Sequence, residues 1–596
     1  MPIRKKKYKG ISIAETVIAI AIFSIVGISL YQLSTQLTRL TRVSRDEIAA
    51  TALAQEEFEK IRNLPYASIG ILNGIPQGIL PKTQAVTRDG ISFEITRTVR
   101  NIDDPFDGTI NGSPKDTAPS DYKLLEIQLS CPMCRDGGDY TFSSHIAPKN
   151  TETSSNNGAL FIQVFDANGQ PIQGANVHIA NSSAVPPILI DETTNAAGML
   201  QLVDVPTGTK KYKITVTKDG YSTQRTMGND EVSNPTKPHA TVSTQQVTQI
   251  SFSIDTLSTI NILTATATCT PIPSLPFTLA GSKMIGSSPN TPKYSQNLQT
   301  NANGTLTLPD MEWDTYTFTE TSESYVLAGS LPLSPITLSP NAIQDITIVL
   351  EPSNPRNLLV TVLDNGTSLP LAESSVLLEK NDFQATLITG RGFIIQSGWQ
   401  GGSGQAVFTD SLKYFSDDGN ISTSSPVNEV KLKQTLGTYA SNGWLISSTF
   451  DTGSPSNFYE LLWQPLDQPP QTGSNAVTFQ LASNNDQLTW NFVGPDGTDQ
   501  TYYTTSNHNI SATHNNDRYL RYKLFLSTAN TSYTPNVSDI SFTFTSQCVP
   551  SGQVLFSGLT ENKYTLTASK TGYYEQTATA KTPISYNEHT IRLTPQ

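Results

Sequence analysis

The apolar positions near the start of the chain recur with the period of an α-helix. No residue between Thr16 and Thr38 is charged, and a helix of that length, at about 1.5 Å per residue, reaches about 34 Å, enough to cross a hydrocarbon core of about 30 Å. The apolar series continues at spacings of three and four through Leu30, Leu33, Leu37, Leu40 and Val43, and a later series comprises Leu53, Phe58, Ile61 and Leu64. Because Pro65 disfavours helical geometry at the residue before it, the pattern predicts one long helix over residues 11–64.

Beyond residue 64 the pattern changes to the alternation that is typical of β-strands. The segments GISFEITRTVRNIDDPFDG and DTAPSDYKLLEIQLS alternate apolar and polar residues on either side of a loop rich in Gly, Asp and Pro. Residues 65–150 are therefore predicted to form a small antiparallel sheet.

Three later stretches share a glycine, a short apolar strand and a strand centred on tyrosine, which indicates tandem modules. They are NAAGMLQLVDVPTGTKKYKITVTKDGY, NANGTLTLPDMEWDTYTFTETSESY and VPSGQVLFSGLTENKYTLTASKTGYY. Their spacing predicts β-sandwiches of immunoglobulin-like size at residues 157–256 and 257–353, and a third that is split between residues 355–383 and 545–596. Residues 384–544 interrupt this third module and have strand runs of their own, which predicts an inserted, jelly-roll-like β-sandwich.

The overall prediction is a mainly β protein with one long N-terminal α-helix. The composition agrees, because only 15% of the residues are charged and the 38 glycines and 37 prolines favour short strands joined by turns. A chain of 596 residues is also too long for one core and should divide into several domains.

The distribution of charge indicates where the protein is located and which partners it can bind. The net charge is −12, and the only dense basic run is RKKKYK at residues 4–9, so no direct binding of nucleic acid is expected. That run precedes the apolar segment, and the positive-inside tendency places the N-terminus in the cytoplasm. A secretory signal peptide is disfavoured because no A-x-A-like site follows the apolar run, which continues into a helix. We therefore expect a single-pass protein of the cytoplasmic membrane whose bulk is exported.

The four cysteines are too few for a fold built from disulfides. Cys131 and Cys134 form a CPMC motif, which lacks the second pair that a structural zinc site needs and so predicts either a local disulfide or two plain thiols. Cys269 and Cys548 lie far apart, and we expect two small buried residues in separate sandwiches.

The start of the chain resembles the class III signal of type IV pilins and pseudopilins. A basic leader, residues 1–10, ends in Gly10, and ISIAETVIAIAIFSIVGIS follows, with Glu15 as the fifth residue after the glycine. The resemblance implies that a prepilin peptidase cuts between Gly10 and Ile11 and methylates the new N-terminal residue. The family usually has Phe or Met at the position of Ile11.

Glu15 then acquires a physical role. An ionised carboxylate at bilayer depth is costly, on the order of 2.5 kcal/mol or more, and normally marks a functional pairing. Removal of the leader would create a terminal amine at Ile11, and opposite charges attract strongly in a medium of low dielectric. The resemblance implies that this carboxylate meets the amine of a neighbouring subunit when the helices assemble into a filament.

Two other parts of the chain resemble known modules. The segment DYKLLEIQLS and the strand before it resemble the head of minor pilins. The repeated stretches resemble the carboxypeptidase regulatory-like and collagen-adhesin B-type families, which serve as surface stalks and spacers. These resemblances imply that the sandwiches hold the inserted domain away from the membrane, where it contacts a glycan or protein ligand on a surface.

The sequence offers few candidate ligand sites. A loop cluster of aspartates has oxygen ligands of the kind calcium needs, but its spacing matches no known site, and solvated turn residues are the favoured interpretation. These aspartates are Asp103, Asp104, Asp107, Asp116 and Asp121. Aromatic residues of the inserted sandwich are candidates for a surface that binds sugars or a protein, although alternation favours burial of most of them. They are Trp444, Trp463, Trp490, Tyr519 and Tyr522.

No enzyme is predicted. The six histidines are scattered, and the sequence has no H-E-x-x-H, no G-x-S-x-G and no phosphate-binding glycine loop. We assign no catalytic, cofactor-binding or metal residue. A glycosidase pair of carboxylates is set by distance in space rather than by a motif, so an anchored surface hydrolase with its site in the inserted sandwich stays as one alternative.

The favoured function is that of a minor type IV pilin-like protein of the cell surface, assembled through its helix and presenting β-sandwiches for adhesion. A pseudopilin-like component of a secretion or DNA-uptake system is a second alternative. The expected partners are prepilin peptidase, other pilin or pseudopilin subunits, and membrane lipid before assembly.

The mature protein recovered from cells is expected to begin at Ile11, because the peptidase signal ends at Gly10. Mass spectrometry of the N-terminal peptide measures this directly, and a methyl group on Ile11 would add one CH₂ to its mass. A peptide that still contains the basic leader would contradict the prediction.

Overall fold

The computed structural model describes residues 12–132, 134, 138–149, 154–381 and 383–596. They belong to two compact units. The first unit extends to Thr256 and includes Ile285–Thr291, and the second comprises Leu257–Met284 and Pro292–Gln596. One long helix is followed by many short strands, which confirms the predicted fold class.

The helix, α1, spans Ile13–Arg62. Ser12 is its N-cap, and the Glu15 side chain completes a capping box by accepting a hydrogen bond from the Ser12 backbone. Near its other end the helix buries one face, formed by Ala49, Ala50, Leu53, Ala54 and Ile61. The small residues on this face let the helix approach a sheet closely.

That sheet has four antiparallel strands in sequential order. They are β1 Thr83–Arg88, β2 Ile91–Ile102, β3 Tyr122–Ser130 and β4 Asp139–Ile146. Alternate residues of β2 and β3, such as Ile95 and Ile127, share a core with the buried face of α1. A buried ion pair crosses this packing, with Arg97 Nη2 2.5 Å from Glu57 Oε2.

The first β-sandwich follows in the same unit. Its strands are β5 Gly158–Phe165, β6 Asn176–Asn181, β7 Ile188–Thr193, β8 Met199–Val205, β9 Gly208–Thr217, β10 Gln224–Arg225, β11 Ala240–Val242 and β12 Val247–Ser253. In one sheet β5 lies between β12, which is parallel to it, and β8, which is antiparallel. Arg100 of the four-stranded sheet pairs with Glu192 of this sandwich at 3.1 Å, so the sandwich continues directly from the head.

The second sandwich, which opens the other unit, repeats this topology. Its strands are β13 Ser258–Ala265, β14 Pro276–Gly281, β17 Ser295–Gln299, β18 Thr305–Met311, β19 Asp314–Glu320, β20 Tyr325–Leu331, β21 Ile336–Leu338 and β22 Ile343–Pro352. Between β14 and β17, β15 Met284–Gly286 and β16 Thr291–Pro292 form a separate two-stranded sheet at the ends of the segment that belongs to the first unit. Here β13 lies between the parallel strand β22 and the antiparallel strand β18.

The third sandwich is built from two separate stretches of chain. It begins with β23 Asn357–Asp364, β24 Ser375–Lys380 and β25 Phe383–Ile388. The inserted domain then contributes β26 Gly392–Gln396, β27 Ser416–Asp417, β28 Ile421–Ser422, β29 Val430–Leu432, β30 Gln434–Thr435, β31 Thr438–Tyr439, β32 Asn442–Ile446, β33 Phe450–Gln464, β34 Val477–Asn484, β35 His508–Asn509, β36 Asp517–Ser527, β37 Asn536–Val537 and β38 Asp539–Thr545. The third sandwich closes with β39 Gln553–Phe556, β40 Lys563–Ser569, β41 Tyr573–Tyr574, β42 Gln576–Lys581 and β43 Tyr586–Pro595. Its strand β23 again lies between a parallel strand, β43, and an antiparallel one, β39.

A buried tyrosine marks the same position in all three sandwiches. Tyr212, Tyr316 and Tyr564 lie on β9, β19 and β40, and each is at most 3% exposed. Each hydroxyl donates a hydrogen bond to a backbone carbonyl a few residues upstream, at Pro206, Glu312 and Thr560 respectively. The tyrosine therefore fixes the turn before its own strand, which explains why the repeated sequence stretches centre on it.

The inserted domain has an eight-stranded sheet and a large aromatic core. Strand β36 pairs with β34 along one side and with β32 and the start of β33 along the other. Phe450, Phe479 and Phe542 are at most 1% exposed. The rings of Phe450 and Phe479 pack against Tyr522, and the ring of Phe542 packs against Phe450.

Both cysteine pairs are bonded as disulfides. Cys131 and Cys134 bond to each other within the head. The expectation for Cys269 and Cys548 is wrong, because these two residues, 279 positions apart, also form a disulfide. The turn after β13 lies beside the end of the inserted sheet, where Ser546 Oγ donates to the Ala267 carbonyl at 2.9 Å. This disulfide therefore links the second sandwich to the end of the insertion.

Replacing Cys269 with Ser is expected to lower the free energy of unfolding of the second unit by about 2–4 kcal/mol, because a long loop loses its constraint in the unfolded chain. Chemical denaturation measures the change, with tryptophan fluorescence for the second unit, which contains all five tryptophans, and far-ultraviolet circular dichroism for both units. Cys134→Ser is the matched control, since it opens a loop with a sequence separation of only 3 and should destabilise less. Equal effects of the two variants would contradict the prediction.

Candidate assembly helix and candidate binding face

The first half of α1 exposes an apolar surface. Ile13 is 86% exposed and Phe23 is 80% exposed, and the apolar window that is long enough to cross a membrane is not buried by any described part of the chain. The other exposed apolar residues are Val17, Ile18, Ile20, Ile22, Ile25, Val26, Ile28, Leu30, Leu33, Leu37, Leu40 and Val43. This half of the helix therefore needs an apolar environment that its own chain does not provide.

The polar groups of this segment are mostly satisfied within the helix. Ser24 Oγ donates to the Ile20 carbonyl and Ser29 Oγ to the Ile25 carbonyl, both at 2.8 Å. Such bonds lower the cost of placing a hydroxyl in an apolar environment. Glu15, by contrast, is the only acidic residue from Ser12 to Arg45.

Glu15 lies in the first turn of the helix. Its Oε2 accepts a hydrogen bond from the Ser12 backbone N–H at 2.9 Å, and its own N–H donates to Ser12 Oγ at 3.3 Å. Within the described residues no cation forms an ion pair with this carboxylate. Gly10 and Ile11, the predicted processing site, lie outside the described residues.

The aspartate loop of the head is more buried than the sequence predicts. Asp116 and Asp121 are each 8% exposed, so the interpretation as solvated turn residues is wrong for both. The loop folds over them, and their oxygens accept backbone hydrogen bonds, as at Asp116 Oδ1 from the Ala118 N–H at 2.8 Å. The described residues contain no group of three acidic, His or Cys side chains arranged to hold a metal ion.

Burial raises the pKa of Asp103 in this loop to about 6, against the hydrogen bond that its carboxylate accepts from the Ile110 N–H. The negative charges of Asp116, Asp121 and Asp107 raise this pKa further. Asp103 is therefore a carboxyl group whose ionisation is unfavourable in the folded head.

One cluster in the inserted domain contains the residue types of a hydrolase. Ser483 Oγ lies 2.8 Å from His514 Nδ1 and 2.6 Å from Asp517 Oδ2. In a hydrolytic triad the imidazole stands between the hydroxyl and the carboxylate, whereas here the hydroxyl stands between the other two groups. His514 is 3% exposed, and burial lowers its pKa to about 4, so the ring is neutral and closed off from substrate. These hydrogen bonds connect β34, which contains Ser483, to the segment that contains His514 and Asp517.

The candidate aromatic residues divide between the two faces of the inserted sheet. Two of them point into the core, because alternate residues of a strand face opposite sides. Trp463 is 4% exposed and Tyr522 is fully buried, so these two candidates do not belong to a surface patch, and the burial that alternation favours holds for both. Tyr522 accepts a hydrogen bond from Trp399 Nε1 and donates one to Gln396 Oε1. Trp444, Trp490 and Tyr519 are half-buried and lie on the other face.

We call that other side the outer face. It consists of the side chains of β36 that point away from the core, together with the rings beside them on β32 and on the flanking loops. Its residues are Phe415, Trp444, Trp490, Phe492, Tyr502, Tyr519, Arg521, Lys523 and Phe525.

Two cations of the outer face lie among its rings. The Arg521 guanidinium carbon is 4.2 Å from the Phe415 ring centroid and 4.4 Å from that of Trp490. Lys523 Nζ is 4.6 Å from the Trp444 ring and 5.0 Å from the Phe525 ring. These distances are those of cation–π contacts.

Both cations and four of the rings were not among the residues predicted from the sequence. The segment RYLRYKLFLS carries the signal, because Arg521, Lys523 and Phe525 fall on one face of a strand whose other face is apolar. Phe415, Phe492 and Tyr502 reach the same face from loops, which only the tertiary structure places there.

No protein-family model and no curated protein matches this chain. Among solved structures, the TIE protein of Bacillus anthracis matches 86% of this chain and 73% of its own, at 10% identity and a TM-score of 0.15. GBS52, the minor pilin of Streptococcus agalactiae, matches 33% of this chain and 96% of its own, at 14% identity and a TM-score of 0.17. A streptococcal ancillary pilin matches 74% of this chain and 99% of its own, at 10% identity and a TM-score of 0.14. At these identities and TM-scores the likenesses carry no argument about assembly, partners or ligands.

Replacing Asp103 with Asn is expected to change how stability depends on pH. The folded pKa of about 6 lies above the ordinary value of 3.8, so the contribution of Asp103 to stability is fully present below 3.8 and is lost as the pH rises through about 6. The variant should therefore gain stability relative to the wild type as the pH rises through this interval. Urea midpoints measured on both sides of the folded pKa test this. Asp139→Asn, at an exposed position of the same head, is the control, and an identical pH profile for all three proteins would contradict the prediction.

Proposed function

We propose that this chain is a minor type IV pilin-like protein of the cell surface that assembles through α1 and presents its β-sandwiches for contact with other surfaces. The observation that carries the proposal is that the two halves of α1 have different surroundings. Its first half exposes apolar side chains with a single carboxylate, Glu15, and its second half is packed against the head.

The assembly step follows from the environment that this first half requires. Before assembly the apolar segment lies in the membrane, since it is long enough to cross the hydrocarbon core. In a filament, like helices from other subunits replace the lipid. The carboxylate of Glu15 then meets the terminal amine that prepilin peptidase creates at Ile11 of a neighbour, and the pairing offsets part of the cost of burying both charges.

The rest of the chain, which comprises the head and the sandwiches, is displayed at the cell surface. The basic run at residues 4–9 keeps the N-terminus inside, so the head and the sandwiches are exported to the cell surface. Disulfides form and persist in oxidising compartments outside the cytosol, and the two disulfides of this chain suit that location. We propose that the role of the sandwiches is structural rather than enzymatic.

Replacing Glu15 with Gln is expected to reduce incorporation into filaments about tenfold or more. The substitution removes the charge and keeps the shape, and the loss of a buried charge pair exceeds the 1.4 kcal/mol that corresponds to a factor of ten. The measurement is the amount of the protein in the sheared filament fraction relative to the membrane fraction.

Glu47→Gln is the matched control, because Glu47 is an exposed acid of the same helix beyond its apolar half. Both variants should reach the membrane at wild-type levels. If Glu15→Gln entered the filament fraction as well as the control does, assembly by charge pairing would be refuted.

A further inference from the structure

We propose that the outer face of the inserted sheet binds an acidic polysaccharide, with Trp444 and Trp490 against the sugar rings and Lys523 against a sugar carboxylate. The proposal deepens the display role given above and rests on it, because a binding face is of use there only when it is held away from the membrane.

The outer face presents aromatic rings that are partly exposed to water. Alternate residues of β36 are fully buried on the core side, as Leu520 and Leu524 are, so the opposite side chains stand together on the outer face. Tyr502 is 41% exposed and Phe415 is 37% exposed. Flat rings that keep part of their surface in water match the flat C–H faces of sugar rings, which are apolar while the sugar edges are polar.

The two cations of the outer face, Arg521 and Lys523, have no carboxylate paired with them in the described part of the chain. In the part of the chain that the structure describes, no carboxylate oxygen lies within 4.0 Å of the charged nitrogens of Arg521 or Lys523. Arg521 is satisfied by neutral partners instead, with Nε donating to Thr449 Oγ1 at 2.8 Å and Nη2 to the Ala406 carbonyl at 3.2 Å. Both cations therefore keep their capacity to attract an anion, in a protein whose net charge is −12.

Lys523 is the better placed of the two for a ligand. Arg521 is 7% exposed and held by its two hydrogen bonds, whereas Lys523 is half-buried and makes ring contacts. Burial lowers the pKa of Lys523, and the nearby charge of Asp418 only partly opposes this effect. An anion bound at Lys523 would stabilise its charged form directly.

A neutral polysaccharide or a protein fits the outer face less well than an acidic polysaccharide does. A neutral polysaccharide would cover Lys523 without supplying a counter-charge, which is unfavourable. A stable protein interface buries about 800 Å² and about 20–30 residues per partner, whereas the outer face consists of the nine residues named above. A polymer that alternates apolar sugar faces with carboxylates fits both features of the outer face.

The test uses the full-length protein in detergent and two forms of one polymer. Polygalacturonate carries a carboxylate on each sugar, and its fully methyl-esterified form has the same backbone without the charge. Isothermal titration calorimetry is expected to show binding to polygalacturonate that added salt weakens, and at least about tenfold weaker binding to the ester.

Two variants test the named residues. Lys523→Gln and Trp444→Ala are each expected to weaken binding of polygalacturonate about tenfold, and Lys523→Arg should restore most of it. Lys431→Gln is the matched control, because Lys431 belongs to the same inserted domain and already pairs with Glu429 at 3.3 Å. Thermal unfolding monitors the fold, and if Trp444→Ala lowers stability, Lys523→Gln alone decides the test.

Three outcomes would overturn the proposal. They are no binding of polygalacturonate, equal binding of its ester, and wild-type binding by Lys523→Gln. Because binding in detergent needs no filament, Glu15→Gln should bind polygalacturonate like the wild type. Failure of assembly through Glu15 and failure of the binding face would therefore appear in different experiments.

Discussion

The structure depends on the way one helix divides its apolar surface between two environments. Ala49, Leu53 and Ile61 bury the second half of α1 against the head sheet, while the first half, from Ile13 to Val43, finds no cover in the described part of its own chain. The hydrophobic effect is proportional to the apolar area removed from water, so this uncovered half is favoured in an apolar environment, which we propose is lipid before assembly and a bundle of like helices afterwards.

The three β-sandwiches beyond the head share one arrangement of strands. In each sandwich the first strand lies between a parallel and an antiparallel neighbour, and a buried tyrosine on a strand of the other sheet ties down the preceding turn. The insertion leaves the third sandwich intact, because β23 still pairs with β39 and β43 across it. The disulfide between Cys269 and Cys548 links the second sandwich to the end of the insertion, so this unit is held by covalent bonds as well as by packing.

Strand β36 of the inserted domain contributes one set of side chains to the core and the alternate set to the outer face. Leu520, Tyr522 and Leu524 belong to the aromatic core, and the residues between them form the centre of the outer face. Because the side-chain period of a strand is two, a shift of one residue in register would exchange these sets. The core therefore fixes which side chains reach the surface.

The sequence by itself determined the long helix, its apolar half with one carboxylate, the mainly β character of the remainder and the three tyrosine-centred repeats. These features are local, since they depend on the period of apolar residues and on turn residues close together in the chain. The tertiary structure decided which aromatic residues are buried, as Trp463 is and Trp444 is not, and it joined Cys269 to Cys548. It also brought the rings of Phe415 and Trp490 into contact with Arg521. Such pairings depend on strand order and loop position, which bring together residues too distant in sequence for any local pattern to connect.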